Sequence, residues 1–195
     1  QCVSGIHFNF SLSESSWEPL TRNSDQSFIN QKYLGAIRNI KRNFWFLLDR
    51  LGASPITHES YLLNREHSLI KHGKNDLFFP YATSLRMSDV GYQSSIQNAL
   101  KINYNNLDEF IDAIIKGIKT PIKSFENMGL FNEQGVPQQI STGILQIENE
   151  LYDIVRPKRS GPSDSRPAAL LKNEGIEYLE LRGIDINPFI PEGID

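Results

Sequence analysis

The chain has 195 residues, of which 39% are hydrophobic and 22% charged, with a formal net charge of -3. These values predict a soluble globular protein, and the charge gives no basic footprint for nucleic acid. No apolar run approaches the roughly 20 residues that a membrane span needs. The single cysteine, Cys2, excludes an internal disulfide framework, so we expect a reducing, cytoplasmic compartment and an unreactive strand residue at that position.

The patterns at both ends predict that the chain is a segment of a longer polypeptide. A strand-like pattern begins within a few residues of Gln1, and the chain stops shortly after Asn187-Pro188-Phe189 without a closing helix. No basic-then-apolar leader opens the chain. We therefore expect residues 1–195 to form one partial domain that lacks N- and C-terminal parts.

The first predicted element is a strand over residues 3–12, where side chains alternate in character. Its predicted dry face consists of Ile6, Phe8, Phe10 and Leu12. Its predicted polar face consists of Gly5, His7, Asn9 and Ser11. Such a strand belongs to a sheet with one buried and one polar surface.

A long helix is predicted over residues 27–51, because hydrophobic residues recur there at helical spacing. Ser24 or Asp25 is placed to cap its start, and Gly52 suits its end. Its expected buried residues are Phe28, Leu34, Ile37, Ile40, Phe44, Leu47, Leu48 and Leu51.

A second helix is predicted over residues 107–119. Asn106 is placed to cap it, and Glu109 follows three residues later, as in a capping box. Pro121 lies just past its end. The expected buried stripe consists of Phe110, Ile111, Ile114, Ile115 and Ile118.

Two later strands are predicted over residues 144–152 and 176–184, again from alternating side chains. Strands and helices mix without strict βαβ alternation, so the predicted fold class is α+β. Four connecting stretches are rich in turn formers or lack periodicity, and we expect them to be flexible: residues 12–25, 62–76, 129–139 and 160–166.

Polar side chains on the three predicted strands indicate a concave polar site. The pairs that share a face are His7 and Asn9, Glu148 and Glu150, and Glu180 and Arg182. A carboxylate can hold Mg²⁺ while a guanidinium reaches a phosphoryl oxygen, and a histidine can be a further metal ligand. The alternatives are a hydrogen-bonded surface histidine for His7 and a cross-strand ion pair for Glu180 and Arg182.

Other candidates lie outside these strands. Arg86 can clamp a carboxylate with its planar fork, or can form a surface salt bridge to Asp89. The basic run at 156–159 can meet nucleotide phosphates or can be a solvated loop. Tyr92 and Tyr152 can line a small pocket or can be edges of the core. No Walker-type loop, G-x-S-x-G elbow, H-E-x-x-H helix or zinc-type cluster is present.

Several stretches of the chain carry a specific resemblance. They are residues 4–9 (SGIHFN), 52–55 (GASP), 81–92 (YATSLRMSDVGY), 145–152 (LQIENELY), 156–159 (RPKR) and 175–189 (GIEYLELRGIDINPF). In residue sequence, order and approximate spacing, these stretches resemble those of glutamate–cysteine ligases of the proteobacterial type. The resemblance implies an internal fragment of the catalytic domain, with a glutamine-synthetase-like fold and a curved, mostly antiparallel sheet flanked by helices.

The resemblance also implies a reaction. ATP would phosphorylate the γ-carboxylate of L-glutamate, and the amine of L-cysteine would attack the γ-glutamyl phosphate, the first step of glutathione biosynthesis. The implied partners are these three small molecules with Mg²⁺, or Mn²⁺ as the alternative cation, and no nucleic acid or membrane; we expect a monomer. Two alternatives stay open: a non-catalytic binding module of the same fold, and the ligase half of a bifunctional glutathione synthase.

Roles for individual residues follow from the same resemblance. His7 and Glu180 would be metal ligands, and Arg182 would stabilise the transferring phosphoryl group. Arg86 would hold glutamate or the phosphorylated intermediate, so that Arg182 and Arg86 are the expected catalytic residues. Tyr92 and Tyr152 would join Arg86 in binding substrate, as walls of the cysteine pocket. The expected nucleotide-binding residues are Asn9, Arg156, Lys158 and Arg159.

Overall fold

In the computed structural model of the chain, the described residues are 4–17, 19, 25–62 and 65–194. Cys2 and Ser24 lie outside them. The helices are Glu14–Trp17 (α1), Gln26–Leu51 (α2), Leu107–Lys119 (α3), Lys123–Met128 (α4) and Pro167–Glu174 (α5). The strands are Gly5–Phe10 (β1), Ile56–His58 (β2), Ile70–His72 (β3), Asp76–Phe78 (β4), Val155–Lys158 (β5) and Tyr178–Asp185 (β6).

The main sheet has β6 between β1 and β5, and β6 is antiparallel to both. Asn9 on β1 and Arg156 on β5 both lie opposite Glu180 on β6, so the three side chains share one face of the sheet. The register between β1 and β6 shifts between Ile6 and Phe8, as in a β-bulge. Such a shift re-aims side chains locally, here at His7.

The helix α2 confirms the prediction over residues 27–51 to within one residue. Its start is capped by Asp25, whose Oδ1 accepts a hydrogen bond of 2.7 Å from the backbone N–H of Phe28. Its end is at Gly52, whose N–H donates to the carbonyl of Leu48. Ala53 and Ser54, which follow, both donate to the fully buried carboxylate of Asp185, so the loop after α2 is tied to the end of β6.

The main core lies between α2, α3, α5 and the main sheet. The apolar stripe of α3 contributes to it as the helical spacing predicts, whereas the stripe predicted for α2 contributes only Leu34, Ile37 and Ile40. Its most deeply buried members are Leu34, Ile37, Ile111, Leu145, Val155, Ile176 and Leu179. Farther along the same face of β6, the ring of Phe44 on α2 packs so closely on Gly183 that a Cβ there would overlap it. The core therefore fixes β6 from the side opposite its polar residues.

The cap of α3 is only partly the one expected. Asn106 caps the helix, because its Oδ1 accepts from the N–H groups of Asp108 at 2.7 Å and Glu109 at 3.4 Å. The carboxylate of Glu109, however, accepts from the side chain of Asn103 at 2.9 Å, so the reciprocal bond of a capping box is not the one formed. Helix bounds still match the prediction of 107–119.

A second, smaller sheet was not predicted. Its strand order is β2-β4-β3, all antiparallel, and it covers part of the stretch 62–76 that was expected to be flexible. Each strand has only three residues, too few to establish an alternating pattern. Leu77 from this sheet joins a separate small cluster with Leu62, Leu69, Leu85 and Val90.

The strand predicted over residues 144–152 is wrong. The structure has turns there and a 3-10 segment at Glu148–Glu150. Glu148 is buried, and its carboxylate accepts from Arg166 at 2.8 Å and from the N–H of Ala168 at 2.7 Å. Glu148 therefore holds the start of α5 and does not lie on the polar face of a strand. The carboxylate of Glu150 accepts from the N–H of Gln146.

The predicted dry face of β1 is not covered within the described residues. Phe8 is 38% exposed, Phe10 41% and Leu12 48%. The strand is at the edge of the sheet, where β6 is its hydrogen-bonded neighbour among the described strands.

The predicted fold class is confirmed: the fold is α+β, with antiparallel sheets flanked by helices. None of the helices in the described ranges has the length and apolar character needed to cross a membrane.

Replacing Asn106 with alanine tests the cap of α3. The substitution removes both hydrogen bonds to the first turn, so the free energy of unfolding should fall by about 1 kcal/mol. Urea denaturation followed by circular dichroism measures the change. The matched control is Asn105→Ala, an exposed position, which should change stability by less than about 0.5 kcal/mol. Equal effects of the two substitutions would contradict the capping role.

Candidate active site

The pairing of β1 with β6 brings a histidine against a glutamate. The Nδ1 atom of His7 lies 3.4 Å from Oε1 of Glu180, and Asn9 lies directly opposite Glu180 in the register. The Glu180 side chain is largely buried, with 14% of its surface exposed, whereas that of His7 is 38% exposed. The first and last strands therefore form one cluster of polar side chains, as the sequence predicted.

Two cations surround the same carboxylate. Arg182 Nε lies 3.7 Å and Lys158 Nζ 3.9 Å from Oε2 of Glu180. Lys158 is also 3.4 Å from Oδ1 of Asn149. Among the described residues, Nε and Nη1 of Arg182 are buried without a hydrogen-bond partner. Glu180 and Arg182 are ion-paired along one strand, β6, rather than across strands, and this pair leaves much of the guanidinium's donor capacity unused.

Arg86 lies behind this cluster and is 3% exposed. Its Nε donates to the carbonyl of Arg182 at 2.9 Å, and its guanidinium lies 4.8 Å from the centre of the Tyr92 ring. Gly5 is required beside it, because a Cβ at Gly5 would overlap the guanidinium. The surface salt bridge considered for Arg86 does not fit this burial, since Arg86 supports β1 and β6 from within.

Tyr92 connects the arginines to Tyr152. The guanidinium of Arg182 lies 5.1 Å from the centre of the Tyr92 ring, so Arg86 and Arg182 both contact that ring. The rings of Tyr92 and Tyr152 meet edge to face, with centres 4.6 Å apart. The two tyrosines and two arginines thus form one continuous group beside Glu180.

The basic run at 156–159 does not act as a unit. Arg156 is buried, and its guanidinium donates to the carbonyls of Glu148, Asn149 and Leu151, so it holds the backbone of that segment. Arg159 bonds to Glu174 at the end of α5. Of the three basic residues proposed to meet nucleotide, only Lys158 has an ion pair with the Glu180 cluster.

Burial and neighbouring charge shift the pKa values in the cluster. Desolvation, then the charge of Arg182, lowers the pKa of His7, against the opposing effect of Glu180. Desolvation, then the charge of Arg156, lowers the pKa of Lys158. Desolvation raises the pKa of the Tyr92 hydroxyl. At neutral pH His7 is therefore mainly an uncharged imidazole with a lone pair available to a metal ion.

The donor set fits part of a divalent-metal site. A carboxylate oxygen is a preferred ligand for Mg²⁺ or Mn²⁺, whereas a neutral imidazole nitrogen is a less usual ligand for these hard ions. Within the described residues, however, no group of three or more histidine, cysteine, aspartate or glutamate side chains is placed to hold a metal. His7 and Glu180 would thus supply two ligands, with others from water, substrate or residues beyond those described.

A glutamate–cysteine ligase family model matches residues 1–195. The chain belongs to the glutamate–cysteine ligase family. It is 43% identical over 200 residues to glutamate–cysteine ligase from Pseudomonas savastanoi pv. phaseolicola, covering 100% of this chain and 37% of that protein. The Pseudomonas putida KT2440 enzyme is 44% identical over 201 residues, with 100% and 38% covered. The chain thus spans well under half the length of these curated relatives.

Two solved structures are similar in fold to this chain. A crystal structure of glutamate–cysteine ligase from Francisella tularensis in complex with AMP is 37% identical, with a TM-score of 0.87 over 98% of this chain and 38% of that one. A bifunctional glutathione synthetase from Pasteurella multocida is 24% identical, with a TM-score of 0.65 over 97% of this chain and 20% of that one. The second likeness shows a shared fold alone. The glutamate–cysteine ligase fold is therefore confirmed for this chain.

Two residues of the site were missed by sequence reasoning. Gly5 was assigned only to the polar face, although its lack of a Cβ makes room for Arg86. Gln97 was not singled out, yet it is buried and bonds to the backbone around Tyr152. The first is signalled by a glycine inside a strand, which often marks a close approach. The second carries no local signal, because its partners are more than 50 residues away.

Gly5→Ala tests the packing of Arg86 under β1. The new methyl group must displace the guanidinium, so we expect a loss of about 1–3 kcal/mol in the free energy of unfolding, as for other overpacked sites. Thermal denaturation of the two proteins measures it. The control is Gly35→Ala within α2, where a Cβ meets only Arg38 Nη2 at 3.7 Å. That change should be neutral or stabilising, and a Gly5→Ala protein as stable as the control would refute the clash.

Proposed function

We propose that the protein to which this chain belongs catalyses the ATP-dependent ligation of the L-glutamate γ-carboxylate to the amine of L-cysteine. In the first step a γ-carboxylate oxygen attacks the γ-phosphorus of ATP, and ADP leaves. In the second step the cysteine amine attacks the acyl carbon of γ-glutamyl phosphate, phosphate leaves, and the nitrogen loses a proton. The observation that carries the proposal is the His7–Glu180 pair beside the partly unpartnered guanidinium of Arg182.

Family membership and a nucleotide-bound neighbour support this choice of chemistry. The Francisella tularensis relative was solved in complex with AMP, which fits a protein that uses an adenine nucleotide. A carboxylate is a poor electrophile and must be activated before an amine can attack. Phosphoryl transfer depends mainly on alignment and charge neutralisation. A cluster with one carboxylate, one imidazole and several cations suits that requirement.

His7 and Glu180 would be the ligands that this chain contributes to bound Mg²⁺ or Mn²⁺. When bound, the cation would neutralise phosphoryl oxygens and help to align the transferring group. The lowered pKa of His7 and the 3.4 Å separation of the two side chains are consistent with ligands to one cation cluster. Asn9, opposite Glu180, and Lys158, next to it, would bind the nucleotide from the same face.

Arg182 would stabilise the phosphoryl group, and Arg86 would hold glutamate or the acyl phosphate. A guanidinium with N–H groups that lack protein partners can donate to the oxygens of a ligand without losing existing hydrogen bonds. Arg86 is more deeply buried than Arg182, and it lies next to the site, in contact with the backbone of Arg182 and the ring of Tyr92. Tyr92 and Tyr152 would form the wall that receives the cysteine.

Residues 1–195 would be one part of a larger catalytic domain in a cytoplasmic, monomeric enzyme. In this proposal Arg156 and Arg159 act on the nucleotide site indirectly, since Arg156 shapes the segment 148–151 and Arg159 holds the end of α5. The likeness to the bifunctional synthetase is at the level of fold and does not favour a fused second activity.

Phosphate release by the full-length protein tests the function. Release from ATP should require glutamate, a divalent cation and an amine acceptor together, and cysteine should be used in preference to glycine and ammonia. The coupled product, γ-glutamylcysteine, is identified by mass spectrometry. Preference for another acceptor would redirect the proposal to a different carboxylate–amine ligase. Binding of glutamate or ATP by calorimetry without turnover would instead support a non-catalytic module.

Glu180→Gln in the same assay tests the central carboxylate. Stabilisation by a bound cation is worth several kcal/mol, and each ~1.4 kcal/mol is tenfold in rate, so we expect at least about a hundredfold loss of turnover. The control is Glu133→Gln, an exposed position in the turn near Phe131, which should leave turnover unchanged. Normal turnover and unchanged magnesium dependence in Glu180→Gln would remove Glu180 from the site.

A further inference from the structure

Gln97 is a buried amide that binds the backbone on both sides of Leu151. It lies in the 3-10 segment Ser95–Ala99 and is 8% exposed. Its Nε2 donates to the carbonyl of Glu150 at 3.1 Å, and its Oε1 accepts from the N–H of Tyr152 at 2.9 Å. Both ends of the amide are therefore used on one short stretch of chain.

These two bonds restrict the path of the chain into Tyr152. An amide that donates to residue i and accepts from residue i+2 imitates the pairing that a neighbouring strand would supply. Leu151, between the two bonded residues, points into the core and is buried. With the backbone and the intervening side chain both fixed, the direction in which the Tyr152 side chain leaves the chain is fixed as well.

The direction of Tyr152 matters for the candidate site. Its ring meets the edge-to-face partner Tyr92, which in turn contacts the guanidinium groups of Arg86 and Arg182. Gln97 and Tyr152 also line one open groove of about 400 Å³, together with Met87, Ser94 and Asn98. Movement of Tyr152 would therefore change the wall of this groove.

A separate anchor holds the next residue. Asp153 accepts from Lys41 Nζ at 2.5 and 2.6 Å and from the hydroxyl of Tyr104 at 2.7 Å. This anchor ties the segment to α2 and the core without using Gln97. Loss of the Gln97 bonds should consequently loosen Tyr152 locally, while the chain on its C-terminal side stays attached.

We propose that Gln97 is a positioning residue that acts through Tyr152 to set the affinity for the amine substrate. The proposal rests on the proposed function, in which Tyr152 forms the wall that receives a small amino acid carrying a thiol. Within the described ranges, the hydrogen bonds of the Gln97 side chain go to the backbone of Glu150 and Tyr152 and to no group assigned to ATP, metal or phosphoryl transfer. Its main effect is therefore on the amine substrate, because Arg86 and Arg182 are reached from Tyr152 only through the ring of Tyr92.

Gln97→Met in the full-length protein tests this role. Methionine has a similar length and shape but makes neither hydrogen bond. The KM for cysteine should rise about tenfold, equivalent to ~1.4 kcal/mol, while the KM values for ATP and glutamate change less than about twofold and kcat falls much less than the KM rises. The matched control, Gln134→Met at an exposed turn position, should leave all parameters unchanged. An unchanged KM for cysteine, or an equal rise for all three substrates, would overturn the proposal.

A double-mutant cycle with Tyr152→Ala shows whether Gln97 acts through the tyrosine. If it does, the KM for cysteine in the double variant should equal that of Tyr152→Ala alone, because residues in one chain of contacts are not additive. Independent, multiplying effects would mean that Gln97 does not work through Tyr152. That result would also overturn the positioning role.

Gln97→Glu provides a second variant should Gln97→Met fail to fold. It keeps the acceptor for the Tyr152 N–H and loses the donor to the Glu150 carbonyl. We expect a rise in the cysteine KM, and an unchanged value would count against the proposal. Failure of the unaltered protein to form γ-glutamylcysteine would refute the proposed function itself, whereas normal product formation with no response at Gln97 would refute this inference alone.

Discussion

The antiparallel pairing of β1 with β6 is the constraint on which the candidate site depends. It places Asn9 opposite Glu180 and, through the register shift after Ile6, brings His7 within 3.4 Å of the same carboxylate. It also places Gly5 against Arg86, whose guanidinium fills the space that a side chain would need. The two strands are separated by most of the chain, so the site forms only when the whole fold does.

The parts of the fold that the sequence predicts are those with long periodic patterns. The helices α2 and α3 have apolar stripes of several turns and end signals at Asp25, Gly52 and Asn106, and their bounds match the prediction closely. The strand β6 shows alternation over eight residues and lies where expected. In such elements local preference and burial agree, so the pattern is sufficient.

The parts that were missed depend on partners distant in sequence. Alternation over 144–152 imitates a strand, but Glu148 binds the first turn of α5 and Arg156 binds the carbonyls around Glu148, so the segment turns instead. The same contacts remove Arg156 from the exposed basic run. The role of Gln97 likewise depends on its hydrogen bond to Tyr152, 55 residues away. The family resemblance predicted roles for the site residues, whereas the residues that position them were revealed only by the three-dimensional contacts.

The most direct test of a shared metal site is anomalous diffraction from crystals of the full-length protein with Mn²⁺ and a non-hydrolysable ATP analogue. The account predicts an anomalous peak at coordination distance, roughly 2 Å as for Mg²⁺, from a nitrogen of His7 and an oxygen of Glu180. Peaks that all lie away from both side chains, with the imidazole still 3.4 Å from the carboxylate and no metal between them, would contradict it.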